Sequence, residues 1–275
     1  MPRRSPIQII TDTKAAAPLF QNWDETLIWS CLQGVMGAVY ADDPIRPESA
    51  AAVLGDFAFL AGIPQPELLA PLKDRDYMIL VPQNEAWQQA VTTFFGDAAR
   101  IVSRFATKKE PEVFCREDLE HIVSALPHGY RLHLIDSALF QMCRSCAWSA
   151  DLVSQFPTYE HYRKLGLGVV ALNGDGIAAG ASSYSSYRGG IEIEIDTKKE
   201  HRRKGLASVC GAALILECLK RGLYPSWDAH NQASLALAEK LGYHYSHTYT
   251  AIEVGTFPDA LPNFVTSPSV SNQSL

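Results

Sequence analysis

The sequence lacks a long hydrophobic run, and this absence limits where the protein is expected to act. The N-terminal residues Pro2, Arg3 and Arg4 lead into a polar stretch, Thr11 to Lys14, without an apolar core of signal-peptide length. No later segment supplies the roughly 20 consecutive apolar residues that a membrane-spanning helix needs. We therefore expect a cytoplasmic protein with no membrane partner.

Positive charge is also scarce. The formal net charge is −6 at pH 7, whereas proteins that bind nucleic acid usually carry basic surfaces. Nucleic acid is therefore not an expected partner, and any anion-binding site must be local. Hydrophobic residues make up 47% of the chain, which is enough for a sizeable core.

Motifs of several common cofactors are missing as well. No G-x-x-x-x-G-K-S/T loop occurs, and the segment from Gly166 to Gly168 lacks the third glycine of a dinucleotide-binding fingerprint. Cys143 and Cys146 form one C-x-x-C without a second pair, which favours two thiols near one helix face over half a zinc site or a redox pair. No metal site is predicted.

The length and the polar connection at residues 107–111 predict two halves. A chain of 275 residues exceeds the usual domain size of roughly 100 to 200 residues. We expect an N-terminal α/β domain over residues 1–112, a second domain over 113–255 and a flexible tail over 256–275. In the first half the patterns predict a helix or helix–strand transition over Thr26–Val39, strands over Ala51–Leu60, Tyr77–Val81 and Ala99–Phe105, and a helix over Glu85–Phe95.

The second half is predicted to mix helices and strands. Three helices are expected over Arg116–Ala125, Ile135–Cys143 and Tyr159–Lys164, followed by a hairpin of Gly166–Leu172 and Ile177–Tyr184. A strand over Ile191–Thr197 alternates isoleucine with acidic residues, so that one face is apolar and the other acidic. The remaining predictions are a helix over Ala207–Arg221, a strand over Tyr224–Ala229, a helix over Ser234–Leu241 and a strand over Tyr245–Val254.

A basic segment, Lys198 to Ala207, lies where a strand ends and a helix begins. A helix N-terminus exposes unpaired N–H groups and about half a positive charge, so a phosphate can accept several hydrogen bonds there. Gly205 lets the backbone approach a ligand closely. The side chains of Arg202, Arg203 and Lys204 could add charge-assisted hydrogen bonds, although a solvated basic helix start has the same composition.

Residues 202–207 read R-x-x-G-x-A, which resembles the R/Q-x-x-G-x-G/A motif of the GNAT N-acetyltransferase superfamily. The order of strand, helix, strand, Asn231, helix and closing strand is similar to that superfamily. The run from Leu223 to Tyr243 resembles the branch that includes the zwittermicin resistance acetyltransferases. The resemblance implies an α+β fold with a mixed, mostly antiparallel sheet flanked by helices, and an N-terminal half that is a degenerate copy of the same fold.

The resemblance also implies acetyl-CoA as cosubstrate, with cofactor-binding residues on both sides of the loop. In the family, the strand before the loop separates from its neighbour and binds the pantetheine arm through free backbone groups, and the asparagine before the next helix also contacts coenzyme A. The implied set consists of Ile195, Asp196, Thr197, Arg202, Arg203, Lys204, Gly205, Leu206, Ala207, Asn231 and Ser234. Asn231 also suits a helix N-cap, because Ser234 follows three residues later.

Acetyl transfer requires an uncharged amine, so a base is expected. Glu194 is the best placed carboxylate, and Glu192 is second; the alternative is that both lie on the solvent face of an amphipathic strand. Asp228 and His230 flank Ala229 and could bind the amine or form an acid–base pair, or they could belong to a turn. Trp227, Trp148, Tyr159, Tyr162, Tyr184 and Tyr187 could line an acceptor pocket or lie in the core.

The family's general acid is a tyrosine, and the corresponding position here is Ala238. The proton would then come from Tyr243, Tyr245 or water, or the thiolate would leave without an acid. The predicted function is transfer of acetyl from acetyl-CoA to a primary amine of a small molecule, by a monomer or homodimer. The alternatives are a non-catalytic acyl-CoA-binding module and an enzyme that uses a different acyl group.

Overall fold

The computed structural model describes residues 6–256. The N-terminal Pro2, Arg3 and Arg4 and, apart from residue 256, the predicted tail over 256–275 lie outside this range. Within it, no helix is both long and apolar enough to cross a bilayer. All six cysteines are free thiols, and those at positions 31, 143, 210 and 218 are buried.

The first sheet has eight strands. In chain order six of them come from the first half: β1 (Gln8–Ile10), β2 (Ala38–Ala41), β3 (Ser49–Leu54), β4 (Phe57–Gly62), β5 (Tyr77–Pro82) and β6 (Ala99–Thr107). The other two, β12 (Asp228–Ala229) and β13 (Tyr245–Gly255), come from the second half. The strand order is β1-β2-β3-β4-β5-β13-β6-β12, and only β4 and β5 are paired in parallel among these described strands.

The second sheet has five strands, all from the second half. They are β7 (Tyr130–Leu134), β8 (Gly168–Asn173), β9 (Gly176–Tyr187), β10 (Gly190–Thr197) and β11 (Tyr224–Ser226). The order is β11-β10-β9-β8-β7, antiparallel except for the parallel pair of β10 with β11. Two mostly antiparallel sheets flanked by helices confirm the predicted α+β class.

Seven α-helices cover these sheets within residues 6–256. They are α1 (Thr26–Leu32), α2 (Glu85–Phe95), α3 (Arg116–Ser124), α4 (Ser137–Ser145), α5 (Tyr159–Leu165), α6 (Leu206–Lys220) and α7 (Gln232–Lys240). α2 has the predicted bounds, since its apolar stripe buries Trp87 and Val91 and Asn84 caps its start. α6 is apolar on nearly every side because it is enclosed in a core with β8, β9 and β10.

Strand pairing crosses the predicted boundary at residue 112. β6, from the first half, lies between β12 and β13, and β13 in turn lies between β5 and β6. A strand of the first half, β6, therefore lies between two strands of the second half, and a strand of the second half, β13, lies between two strands of the first half. The division into residues 1–112 and 113–255 stays a prediction, and the two parts share one continuous eight-stranded sheet.

Two predicted strands are corrected by the structure. The run Ala51–Leu60 is a hairpin of β3 and β4, because Gly55 at φ +59° turns the chain in the middle of it. The run Tyr224–Ala229 is divided at Trp227, and its two parts, β11 and β12, belong to different sheets. β7 was not predicted, because its alternating sequence is short and mostly exposed.

Candidate active site

The division of Tyr224–Ala229 opens a cleft beside β10. β10 and β11 pair in parallel from Gly190 with Tyr224 to Glu192 with Ser226. β12 then pairs with β6 instead, at Asp228 and Ala229. The paired register of β10 with β11 therefore ends at Glu192, and residues 193–197 of β10 face the opening with their outer edge.

Trp227 holds the chain at the point where it changes sheets. Its carbonyl accepts a hydrogen bond from the Thr107 hydroxyl at 2.6 Å, and its indole Nε1 donates to Ser234 Oγ at 3.1 Å. The first contact ties the chain to the end of β6, and the second ties it to α7. The opening is thus built by side chains from both halves.

The first turn of α6 reaches this cleft, where Ala207 forms part of its lining. Gly205 is the N-cap residue at φ +80°, and no side chain caps the helix. A Cβ built on Gly205 would meet no atom within 4 Å, so the surroundings are open and glycine is favoured here by the positive φ alone. Arg203 also has a positive φ, +64°. The loop therefore presents uncapped backbone N–H groups to the outside.

The basic side chains of the loop are exposed, and two of them have partners. Lys204 Nζ donates to the Tyr130 hydroxyl at 3.2 Å, and Arg202 Nε donates to the Thr197 carbonyl at 3.1 Å. Leu206 differs from its neighbours, because its side chain is buried in the core and only its backbone can serve a ligand. The basic loop therefore has a defined backbone conformation and defined hydrogen bonds, in addition to its positive charge.

A cavity of about 410 Å³ occupies the cleft, and it brings together most of the predicted site. Ten residues that the sequence singled out line it: Glu194, Ile195, Asp196, Thr197, Ala207, Trp227, Asp228, His230, Asn231 and Ser234. Asn231 is the N-cap of α7, with its side chain accepting a hydrogen bond from Ser234 N at 2.9 Å, as predicted. Thr197 Oγ1 is buried without a hydrogen-bond partner.

A second cavity of about 560 Å³ adjoins the first. Its walls come from the first half, through Asp56 and Phe57 at the β3–β4 turn and Tyr77 on β5, and from the second half, through Asp151 and Tyr184. Tyr184, one of the aromatic candidates, donates a hydrogen bond to Asp56. Three residues line both cavities: Arg104, Glu194 and His230. These three residues mark the junction of the two spaces.

Glu194 is a half-buried carboxyl with a raised pKa. Burial, followed by the negative charges of Asp196, Asp151 and Asp56, raises its pKa to about 8. One carboxylate oxygen accepts a hydrogen bond from Ile195 N at 3.1 Å. A carboxyl with a pKa near 8 is a stronger base than an ordinary glutamate once it is ionised.

Glu192 lies on the same face of β10 but in a closed environment. It is only 5% exposed, accepts a hydrogen bond from the Thr26 hydroxyl and lines neither cavity. Burial raises its pKa. The alternative of a solvent-exposed acidic face is therefore wrong for Glu192, which α1 covers, whereas Glu194 is half-buried and lines both cavities.

Asp228 and His230 both face the first cavity but have separate partners. Asp228 accepts a hydrogen bond from Arg104 Nε at 2.6 Å and another from the Tyr249 hydroxyl at 2.8 Å. His230 Nε2 lies 3.7 Å from Glu253 Oε1. Burial and the nearby Arg104 charge lower the His230 pKa, so this ring is neutral at pH 7. This geometry favours a fixed ion pair at Asp228 over an acid–base pair with His230.

Neither tyrosine considered as the acid lines either cavity. Tyr243 is buried and its hydroxyl donates to the Pro225 carbonyl at 2.6 Å. The Tyr245 hydroxyl lies 2.9 Å from Thr248 Oγ1. Ala238 is fully buried in the core on α7. Arg104 and Asp56, by contrast, were missed by sequence analysis; the run Ala99–Phe105 contains two arginines, Arg100 and Arg104, and its pattern does not show that Arg104 is buried beside the cleft.

The comparisons with known proteins agree with this geometry. Residues 17–252, which include both halves, match the family model described as GNAT acetyltransferase. The chain belongs to the GNAT acetyltransferase family. Membership of this family supports acetyl transfer from acetyl-CoA as the general reaction.

Three similar proteins align with this chain over most of its length and most of their own. A GCN5-related N-acetyltransferase-like protein from Streptococcus suis is 47% identical with a TM-score of 0.85, over 88% of this chain and 98% of its own. The uncharacterized N-acetyltransferase YdfB of Bacillus subtilis (strain 168) is 27% identical over 243 residues, covering 82% of this chain and 88% of YdfB. A putative GNAT acetyltransferase from Novosphingobium aromaticivorans, 17% identical with a TM-score of 0.52 over 84% of this chain and 97% of its own, shares the fold.

Proposed function

We propose that this chain transfers acetyl from acetyl-CoA to a primary amine of a small molecule. The observation that carries the proposal is the continuity of the site. The cleft is lined by Ala207 in the first turn of α6, by Thr197 and by Glu194, and the second cavity is lined by the same Glu194 carboxyl. An acyl donor and an acceptor entering from opposite sides would meet at this base.

The residues of the cleft fit coenzyme A. The uncapped start of α6 offers N–H groups of Gly205, Leu206 and Ala207 to a pyrophosphate. The unpaired edge of β10 at Ile195, Asp196 and Thr197 suits a pantetheine arm, and the orphaned Thr197 hydroxyl gains a partner there.

Five further residues are proposed to contact coenzyme A, on two sides of the cleft. Arg202, Arg203 and Lys204 add positive charge beside the pyrophosphate. Asn231 and Ser234 form the opposite wall. When bound, acetyl-CoA supplies an acyl group activated as a thioester.

Glu194 accepts the proton that the amine must lose. Transfer passes directly from the amine nitrogen or through one water, because Glu194 faces both cavities. A pKa raised to about 8 keeps part of the population ionised at neutral pH and makes the ionised form strongly basic. Glu192, Asp228 and His230 are assigned supporting roles, since Glu192 is sealed and Asp228 is held by Arg104.

The second cavity suits a small acceptor. Its volume of about 560 Å³ is within the range of small-molecule pockets, roughly 300 to 1,000 Å³. Asp56 and Asp151 place negative charge on its walls, which favours entry of a cationic amine. The N-terminal half thus shapes the acceptor site, and amino-group-containing metabolites or antibiotics, as in the zwittermicin resistance branch, are the proposed acceptor class.

The N-terminal half is proposed to be a degenerate copy of the C-terminal one. Both contain a parallel strand pair, an asparagine-capped helix and a strand in the same order, namely β4–β5–α2–β6 and β10–β11–α7–β13. We also propose that the protein acts in the cytoplasm, as a monomer or homodimer and without a metal.

A non-catalytic acyl-CoA-binding module is a second candidate, because Ala238 provides no acid and the Tyr243 hydroxyl is engaged elsewhere. Tight binding of acetyl-CoA without release of free coenzyme A, across amino acids, polyamines, aminoglycosides and peptide-like antibiotics, would favour it. Comparing the affinities for acetyl-, succinyl- and long-chain acyl-CoA tests the other alternative, a different acyl group.

The proposed binding of acetyl-CoA is tested by substitutions at the two ends of α6. Gly205→Val places a branched side chain at φ +80° and is expected to weaken acetyl-CoA binding by at least about tenfold in isothermal titration. Gly222→Val is the matched control, because Gly222 lies just past the other end of α6 at φ +67° with equally open surroundings. Equal affinity of both variants and the wild type would overturn the proposed site.

A further inference from the structure

One buried cation lies at the junction of the two cavities, and it comes from the N-terminal half. Arg104, on β6, is 7% exposed and lines both spaces together with Glu194 and His230. β6 reaches this point because it is inserted between β12 and β13. No other arginine or lysine among the described residues lines the cleft cavity.

Arg104 is held firmly in place. Its guanidinium contacts Asp228 Oδ1 through Nε at 2.6 Å and through Nη2, and it lies 4.9 Å from the centre of the Phe57 ring. Asp228 is fixed in turn by the Tyr249 hydroxyl. A guanidinium has five N–H donors, so two bonds to Asp228 leave donors for another group.

The charge of Arg104 is permanent at any pH of interest. Burial alone would lower its pKa, but the Asp228 and Tyr249 partners more than offset this effect and raise the pKa above its usual value. Arg104 therefore cannot act as a proton donor. His230 beside it is neutral, because burial and the Arg104 charge lower the His230 pKa.

The departing sulfur needs a compensating group that the tyrosine position does not provide. Ala238 is buried in the core, and the hydroxyls of Tyr243 and Tyr245 are engaged away from both cavities. A thiol with a pKa of about 8.5 can leave as an anion if a fixed positive charge is nearby. Arg104 is the cation that the cleft offers.

We propose that Arg104 stabilises the coenzyme A thiolate electrostatically, in place of a proton-donating tyrosine; this inference rests on the proposed acetyl transfer. The amine nitrogen forms the new C–N bond, the C–S bond breaks, and its electron pair stays on sulfur. The nitrogen proton goes to the Glu194 carboxylate. The thiolate remains an anion beside Arg104 and is protonated from solvent after release.

The test measures the ionisation of the coenzyme A thiol in the binary complex, by its thiolate ultraviolet absorbance during a pH titration, without any acceptor. In the wild type the thiol pKa is expected to fall by about one unit below that of free coenzyme A. Asp228→Asn removes the carboxylate that offsets part of the Arg104 charge and should lower the thiol pKa further. The double variant Arg104→Gln/Asp228→Asn leaves no unpaired buried charge and should return it to the free value.

Arg100→Gln is the control, because Arg100 is on the same strand and also pairs with a buried carboxylate, Glu253, but lines neither cavity. It should leave the bound thiol pKa unchanged. In turnover assays over a range of acetyl-CoA concentrations, the double variant should lose about 10- to 100-fold in kcat with little change in KM for acetyl-CoA.

The outcomes separate the two proposals. Coenzyme A that fails to bind the folded wild-type protein would overturn the proposed function itself. Coenzyme A that binds with an unperturbed thiol pKa, or with the same thiol pKa in the wild type and both Asp228 variants, would overturn the role of Arg104 alone. Because the two variants shift the pKa in opposite directions, loss of folding in one of them leaves the other decisive.

Discussion

Two pairs of strands are parallel within residues 6–256. We call the pair β4–β5 closed, because both strands stay in one sheet, and the pair β10–β11 open, because the chain leaves the sheet after β11. β4 and β5 pair from Phe57 with Ile79 to Leu60 with Pro82, and β5 stays in one piece beside β13. β10 and β11 pair over three residues before the chain turns at Trp227 and enters the other sheet. Each pair is followed by an asparagine-capped helix, so the difference lies in the strands and in the segment that joins them.

The joining segments differ as much as the strands. β4 and β5 are connected through short 3-10 turns, Pro66–Leu68 and Ala70–Leu72, whereas β10 and β11 are connected through the 15-residue helix α6. Only the second connection, therefore, places a long helix N-terminus beside an unpaired strand edge. The cleft beside β10 therefore lies where these two features, a long helix N-terminus and an unpaired strand edge, occur together.

The largest expected effect is the difference in kcat between substitutions of Glu194, in the part of β10 that lines the cleft, and Glu192, in the part that pairs with β11. Glu194→Gln is expected to lower kcat by about 100- to 10,000-fold while acetyl-CoA affinity stays the same, because the base is lost from the open part of β10. Glu192→Gln, in the closed part, should keep near-normal turnover. Steady-state kinetics together with calorimetric binding distinguish these effects, and equal turnover losses in both variants would contradict the assignment.

The Glu192→Gln variant has its own expected signature in stability. Burial raises the Glu192 pKa, so its contribution to stability is present at low pH and is lost as pH rises through the folded-state pKa. The amide does not titrate. The thermal midpoint of the variant should therefore fall less steeply with rising pH than that of the wild type.

The pH dependence of turnover sharpens the same comparison with a smaller effect. The proton-accepting form of Glu194 is the carboxylate, and its pKa is raised to about 8 by burial and by Asp196, Asp151 and Asp56. Below that value kcat should rise about tenfold per pH unit, and the Glu194-dependent rise should end near pH 8. Glu192→Gln should keep this inflection, whereas an inflection retained by Glu194→Gln would assign it to another group.

The two helix caps give the smallest and most closely matched test. Asn84 and Asn231 have nearly the same backbone conformation, φ −156° and ψ 174° against φ −155° and ψ 175°, and each caps its helix through the side chain. Replacing either by alanine should reduce the free energy of unfolding by about 1 kcal/mol. Only Asn231→Ala should also weaken acetyl-CoA binding, which calorimetry of the two variants measures side by side.

Local patterns predicted most of the elements and the composition of the cleft. The stripe on α2, the asparagine cap of α7 and the alternation of β10 depend on residues within one or two turns of each other, so they can be read from sequence. Six of the residues that the family resemblance implied as cofactor-binding line one cavity, namely Ile195, Asp196, Thr197, Ala207, Asn231 and Ser234. Their roles toward a ligand stay predictions.

Features that depend on distant partners were not predictable. Nothing in Tyr224–Ala229 marks the change of sheet, because β12 is drawn away by pairing with β6, more than 100 positions earlier in the chain. The alternation of β10 predicted an acidic face but could not show what packs against it. Glu192 is covered by α1, whose Thr26 hydroxyl donates a hydrogen bond to it. Arg104 was missed for the same reason, since its burial depends on Asp228 and Phe57.

The insertion of β6 between β12 and β13 has a consequence for any attempt to divide this protein. A fragment that begins near residue 113 would leave the inner edges of both strands bare, with unpaired N–H and C=O groups that invite self-association. Expression trials and gene fusions should therefore keep both halves on one polypeptide or supply the missing strand in trans.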